Sequence, residues 1–513
     1  VPHLNKPSSK DHKNEVIGMT KSDSQHTQIL VIGGGPGGST AATLLAREGF
    51  DVTLIERDSF PRYHIGESLL PSVLDFLDLS GAREKVENYG FQRKPGGHIE
   101  WGSHQWELYF NELVGNHKHS FQVIRSEFDK LLLDHAESQG VKVMQCVEVQ
   151  KLHFEDAEEV SQRRPYAATV SRVGQANERW DIHFDYLVDA SGRTGIMANR
   201  YLRNRSYHDA FKNIAVWGYW HGAGRLPHPK EGAIATVSIP NGWIWAIPLH
   251  DGTLSVGIVM HKDAFKEKNS QQDLEEIYAE ALAENATVSG LVAPGTRMGE
   301  LKVETDYSYA SSNFAGPGYY LVGDAACFLD PLLSTGVHLA MLSAMLTAVS
   351  ITATERGDVP AQEATEFYEK SYRAAYLRLL VFLTAFYHQY DGKESLFWIA
   401  RRLSHHDVPE GNVKLAFTTL MSGIEDLMDV REGSEDITRE LVLDEMTRRV
   451  AENLKIRQDK TAMIAVYDSR VREDNSTFFG QVEGIDVIAR SPEQAVGGLY
   501  VRTAPRLGLS RVS

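Results

Sequence analysis

Residues Gly33-Gly-Gly-Pro-Gly-Gly38 follow the β-branched run Gln28-Ile-Leu-Val-Ile32 and precede the helix-forming stretch Ser39 to Arg47. Strand, glycines and helix in that order restrict the chain more than any other feature. Gly33, Gly35 and Gly38, with Pro36 between them, supply G-x-G-x-x-G. Glycine there allows a tight turn and lets a pyrophosphate approach the backbone N–H groups. The helix N-terminus adds a favourable dipole for the anion. Asp51 to Glu56 reads as a second strand, and Glu56 closes it at the spacing of an acid that bonds a ribose hydroxyl. Arg57 follows directly. This is a βαβ unit, which calls for a parallel sheet covered by helices. A dinucleotide is its expected ligand.

The rest of the chain sets the limits. Its 513 residues suffice for two or three packed units. A formal net charge of -16 argues against nucleic-acid binding, because phosphate backbones attract basic surfaces. The two cysteines, Cys146 and Cys327, lie far apart, as in a reduced cytoplasmic protein without a disulfide framework. No metal site is expected. Residues 1–26 are polar, lack the apolar core of a signal peptide and read as a dispensable leader or tag. The apolar stretches Gly336 to Ala353 and Ala374 to Tyr387 are interrupted by polar residues, so both are expected as buried helices and no membrane span is expected.

Further along, Phe128 to Ser138 reads as a helix and Val141 to Val149 as a strand. Short strands dominate from Arg163 to Val188 and again from Ile214 to Met260, and Tyr319 to Val322 returns to parallel-strand character. The expected architecture is α/β. A Rossmann-type dinucleotide-binding domain, split over residues 27–210 and 301–360, holds an inserted, mostly antiparallel substrate-side sheet at 211–300. Residues 361–513 are expected to be helical, with a mobile end from Arg490.

Two segments favour FAD over NAD. Leu187-Val-Asp-Ala-Ser-Gly-Arg193 and Tyr320-Leu-Val-Gly-Asp-Ala-Ala326 look like flavoprotein motifs. The arrangement resembles the aromatic-hydroxylase-like flavoproteins. That likeness implies Asp324 on the ribityl chain, Arg125 near the phosphates or ribose, and Asp189 at the cofactor. Taken singly, Gly323-Asp324 is a turn and Arg125 a surface charge; their order after the glycine turn favours the cofactor reading. No second glycine-rich unit follows, so electrons are expected from a separate flavin reductase or from NADPH visiting transiently.

Gly242-Trp-Ile-Trp-Ala-Ile-Pro248 carries W-x-W-x-I-P, which by strand periodicity alone is two indoles packed on one face. Two other segments accompany it: Phe60-Pro-Arg-Tyr-His-Ile-Gly-Glu-Ser-Leu-Leu-Pro71 and Ala326-Cys-Phe-Leu-Asp-Pro-Leu-Leu-Ser-Thr-Gly336. With them, the region from Gln28 to Tyr390 resembles the flavin-dependent halogenases, in the form that acts on phenolic or pyrrolic substrates, many of them carrier-bound. The resemblance implies FAD used as FADH2, with oxygen and chloride as co-substrates. It places Trp243 and Trp245 near the flavin, where they hinder use as a hydroxylase. It gives Ser334, Thr335 and Gly336 to chloride, on a turn suited to an anion, with Gly336 also beside the cofactor. It makes Lys94 the group that bonds hypochlorous acid or forms a chloramine; burial would raise its nucleophilicity by lowering its pKa. The plain alternative for Lys94 is a solvated lysine beside Arg93.

One departure stands out. Tryptophan-type halogenases have a glutamate directly before Ser-Thr-Gly, and here that position is Leu333. Either another group supplies the acid, or the ring is activated enough to react without it, as a phenol is. The implied partner is a peptidyl carrier protein bearing the aromatic substrate. Since both partners are acidic, docking needs a local patch: Arg401-Arg402 beside Phe397 and Trp398, or Arg448-Arg449 with Lys455 and Arg457. A flavin-dependent monooxygenase, an isoprenoid reductase of the geranylgeranyl type and a non-catalytic flavin-binding protein are the other readings.

Overall fold

The computed structural model describes residues 25–102, 104–112, 117–388, 492 and 495–512. The strand Gln25–Ile32 lies at the centre of a parallel sheet, between Val52–Glu56 and Arg179–Asp189. Lys142–Gln145 and Tyr319–Leu321 extend it at either side. Ile29, Leu30 and Val31 are fully buried, as expected where helices cover both faces of a parallel sheet and strands become continuous apolar runs. The expected α/β, Rossmann-type fold is present. The predicted strand at 141–149 is two, Lys142–Gln145 and Val147–Phe154, broken at Cys146 by a left-handed backbone (φ 59).

Helix Pro36–Arg47 packs on Gly336–Glu355. The second helix is long and apolar enough to cross a membrane, yet 89% of its most apolar window is buried in the fold. A helix buried all round needs no amphipathic stripe. Ala361–His388 lies over the return segment. Its Tyr368 and Tyr372, one helical turn apart, donate to the carbonyls of Leu321 at 2.6 Å and Gly323 at 3.3 Å.

The second sheet departs from the expected boundaries. Strand Arg205–His221 starts before residue 211, and its partner Thr296–Ser311 runs past 300. Leu254–His261, Gly242–Pro248 and Ile234–Ile239 follow in antiparallel order. Gly96–Trp101 then adds in parallel, closed by His104–Tyr109. The sheet is therefore no simple insertion: a hairpin from the first part of the FAD-binding domain caps one edge, because an open edge strand needs a partner.

Residues 495–512 correct the expectation of a helical, mobile end. Leu499–Arg502 and Gly508–Arg511 form an antiparallel hairpin that buries Leu499, Val501, Leu507 and Leu509. Glu48 fixes it to the first helix by accepting from the Leu507 N–H at 3.1 Å, and Arg502 pairs with Asp358 at 2.8 Å. The alternation is too short for its sequence to stand out from loop.

Candidate active site

The glycine turn is close-packed against its own strand ends. A Cβ on Gly38 would stand 1.9 Å from the Gly33 carbonyl oxygen, and one on Gly33 (φ +105) would stand 2.2 Å from that of Ala190. Gly35 is different. Only the Arg62 guanidinium comes near, at 3.3 Å from its Cβ position, and no side chain caps the helix it opens. Unpaired helix N–H groups, an arginine at the same spot and an open glycine face together suit a pyrophosphate. Glu56, behind the turn, accepts from the N–H groups of Gly34 at 2.7 Å and Asp58 at 2.8 Å. These residues fit FAD. Arg62 was missed in the sequence, although it lies in the Phe60–Pro71 segment; Arg57 is largely exposed, 3.7 Å from Asp58.

Other predicted cofactor residues are placed less directly. Arg125 is buried and spends its guanidinium on Asp129, at 2.8 and 3.0 Å, and on the carbonyls of Ile65 and Gly66, at 2.8 and 3.2 Å. Asp189 is fully buried; its carboxylate accepts from Ser191 and, at 2.7 Å, from the Met197 N–H, so it shapes the turn next to the glycines. Asp324 sits on the turn Gly323–Ala325. Burial raises its carboxyl above the usual range, while Arg193, Arg125 and Arg205 pull it back.

Trp243 and Trp245 lie on one face of their strand, both buried, with ring centroids 5.9 Å apart. Trp243 donates to Tyr387 at 2.8 Å, and Tyr387 donates to Asp330 at 3.1 Å. Asp330 also accepts from the Leu332 N–H at 3.0 Å, so one indole is wired to the turn that carries Leu333 and Ser334. Ser334 has a left-handed backbone (φ 56), Thr335 is buried, and neither side chain caps helix Gly336–Glu355. Trp245 has room because its register partner is Gly257, where a Cβ would stand 2.1 Å from the indole. Gly257→Ala is expected to cost about 1–3 kcal/mol through overpacking and to change tryptophan fluorescence. An unaltered melting temperature and spectrum would count against this packing.

Lys94 is not a surface lysine. It is 3% exposed, donates from Nζ to the Leu69 carbonyl at 2.9 Å and stands 5.4 Å from the centre of the Phe110 ring. Arg93 beside it is exposed and pairs with Glu87 at 3.1 Å. The segment that holds Lys94 also holds Glu67, a buried carboxyl that sequence reasoning passed over. Glu67 accepts from the Tyr219 hydroxyl at 2.8 Å, which lies 2.9 Å from that of Tyr63. Tyr63 in turn accepts from the Trp217 indole at 2.7 Å.

A protein-family model described as tryptophan halogenase matches residues 28–116 and 110–422. A tryptophan 2-halogenase of Chondromyces crocatus is 44% identical over 511 residues, covering 94% of this chain and of its own. The flavin-dependent halogenase armH2 of Armillaria mellea is 42% identical over 385 residues, covering 72% of this chain and 74% of its own. Among solved structures, the myxobacterial chondrochloren halogenase CndH superposes with a TM-score of 0.69 at 34% identity. That match covers 78% of this chain and 90% of the other.

Proposed function

The chain belongs to the flavin-dependent halogenases, and on that premise we propose that it chlorinates an electron-rich phenol, such as a tyrosyl group tethered to a peptidyl carrier protein. Membership makes it an enzyme that uses FAD with oxygen and chloride, and sets aside the reductase and non-catalytic readings. FADH2 and oxygen supply the oxidising equivalents that convert chloride to hypochlorous acid. What remains for this chain's own residues is to hold chloride, confine the oxidant and aim it.

The observation that carries the reading is the buried, anchored Lys94 together with Leu333. An ammonium fixed on the Leu69 carbonyl gives hypochlorous acid a defined partner away from water. The acid that tryptophan-type enzymes place before Ser-Thr-Gly is absent at Leu333, and a ring that activates itself through a hydroxyl tolerates that loss. Ser334, Thr335 and Gly336 hold chloride at an uncapped helix start. Trp243 and Trp245 shield the cofactor from direct use by the substrate. A separate flavin reductase supplies FADH2. The basic patches named for carrier docking, at Arg401-Arg402 and Arg448-Arg449, lie outside the described residues.

The test supplies reduced FAD, oxygen and chloride with carrier-loaded tyrosine or the free phenol, and reads products by mass. A chloride-dependent mass gain without hydroxylation is expected, faster on the carrier-bound ring. Equal rates on free phenol would remove the carrier. A hydroxylated product would remove the phenol chlorinase.

A further inference from the structure

The segment from Ile65 to Leu69 is pinned along its length. Arg125 binds the Ile65 and Gly66 carbonyls, the Glu67 carbonyl accepts from the Val123 N–H at 2.7 Å, and the Leu69 N–H donates to Phe121 at 3.0 Å. Lys94 takes the Leu69 carbonyl. Backbone held this firmly fixes the Glu67 side chain, which is 3% exposed. Buried carboxyls ordinarily use both oxygens. Here Oε1 accepts from Tyr219, while Oε2 is buried without a hydrogen-bond partner.

The surroundings give that oxygen a purpose. Tyr219 and Ser255 face each other across two paired strands, two register positions from Trp217 and Gly257 and so on the same face. Trp245 donates to Ser255 at 3.3 Å, so Glu67 lies against the sheet face that carries the tryptophans. At the other end, Tyr63 is 49% exposed. An unbroken line of hydroxyls therefore runs from solvent through Tyr63 and Tyr219 to a buried acid, two residues from the carbonyl that anchors Lys94.

We propose that Tyr63, Tyr219 and Glu67 form a proton path between solvent and the halogenation site, with Glu67 as its inner acid–base group. The idea rests on the aromatic-chlorination reading above. In the ring step the aromatic carbon takes chlorine as the O–Cl bond breaks, and the departing oxygen takes the proton of the Glu67 carboxyl to leave as water, which makes Glu67 a carboxylate. The ring C–H bond then breaks, its electron pair restores aromaticity, and the Glu67 carboxylate takes the proton. Ring and hypochlorous acid thus become chlorinated ring and water, and Glu67 exchanges its proton with solvent through the two hydroxyls.

The groups facing Glu67 are Tyr63, Tyr219, Arg125 and Asp251. Burial pushes its carboxyl up to about 7, while the nearby Ser255 and Tyr219 hydroxyls and the Arg125 charge pull it partly back. A group near neutrality exchanges protons in either direction. The Tyr63 hydroxyl is pushed up to about 12 and that of Tyr219 higher still, both first by burial, so the tyrosines pass protons without holding charge.

The test compares wild type, Glu67→Gln and Tyr219→Phe by two readouts. In chlorination assays, Glu67→Gln is expected to bind FAD and still form hypochlorous acid, but to make product about a hundredfold more slowly and to lose the limb of the pH profile near neutrality. In the resting protein, a carboxyl infrared band should titrate near pH 7, vanish in Glu67→Gln and move to higher pH in Tyr219→Phe. A Glu67→Gln variant with unchanged rate and profile overturns the path, and so does one that loses FAD. If wild type chlorinates no phenol, the substrate reading fails by itself. The infrared titration then decides the path, and absence of the Glu67 band overturns it.

Discussion

Lys94→Ala is expected to lower chloride-dependent product formation about a thousandfold or more, while FAD still binds and hypochlorous acid still forms. Each tenfold corresponds to about 1.4 kcal/mol of barrier, so the lysine is assigned roughly 4 kcal/mol of the ring step. That is reasonable for a buried ammonium that turns a diffusing oxidant into a positioned one. The same substitution leaves the Leu69 carbonyl without its Nζ donor, at about 1–3 kcal/mol of stability. Lys94→Met separates the two effects, since it keeps the apolar stem against Phe110 and removes only the charge. Product mass, released oxidant and melting temperature are measured together. If Lys94→Met chlorinates at even a tenth of the wild-type rate, the lysine is scaffolding.

The second large effect falls on the glycine turn. Gly38→Ala would drive a Cβ to 1.9 Å from the Gly33 carbonyl oxygen, a contact that only backbone movement relieves. Loss of bound flavin, with a fall of several degrees in melting temperature, is expected. Gly35→Ala provides the contrast. Gly35 has an ordinary φ of -68°, and only the Arg62 side chain is near. The fold should be kept while FAD affinity falls about a hundredfold, because the methyl group occupies the approach to the helix N-terminus. Equal flavin binding in the two variants would mean that the turn serves packing alone.

Local pattern carried much of this molecule, and contacts distant in sequence carried the rest. The βαβ unit was legible because its strand, turn and helix are contiguous, and the glycine spacing reports a backbone requirement directly. The buried helix at 336–355 was legible from its length of apolar residues. The second sheet's edge was not, because nothing within Gly96–Tyr109 records that Ile234–Ile239 will lie beside it. Glu67 looked like one polar residue of a loop; its burial depends on Tyr219, 152 positions away. Arg125 and Asp189 show the converse. Their positions were readable, but the structure turns Arg125 to the Asp129 carboxylate and the Ile65 and Gly66 carbonyls, and Asp189 to the Ser191 and Met197 N–H groups.

The hairpin at 499–511 has a topological consequence. Residue 388 ends a helix latched to the Asp324 turn, and residue 495 begins the stretch fastened to Glu48 and Asp358. Through Glu48, which accepts from the Leu507 N–H, and Arg356, which donates to the Leu507 carbonyl at 3.0 Å, the hairpin joins the C-terminal ends of helices Pro36–Arg47 and Gly336–Glu355, so a shift at the tail of one is passed to the other.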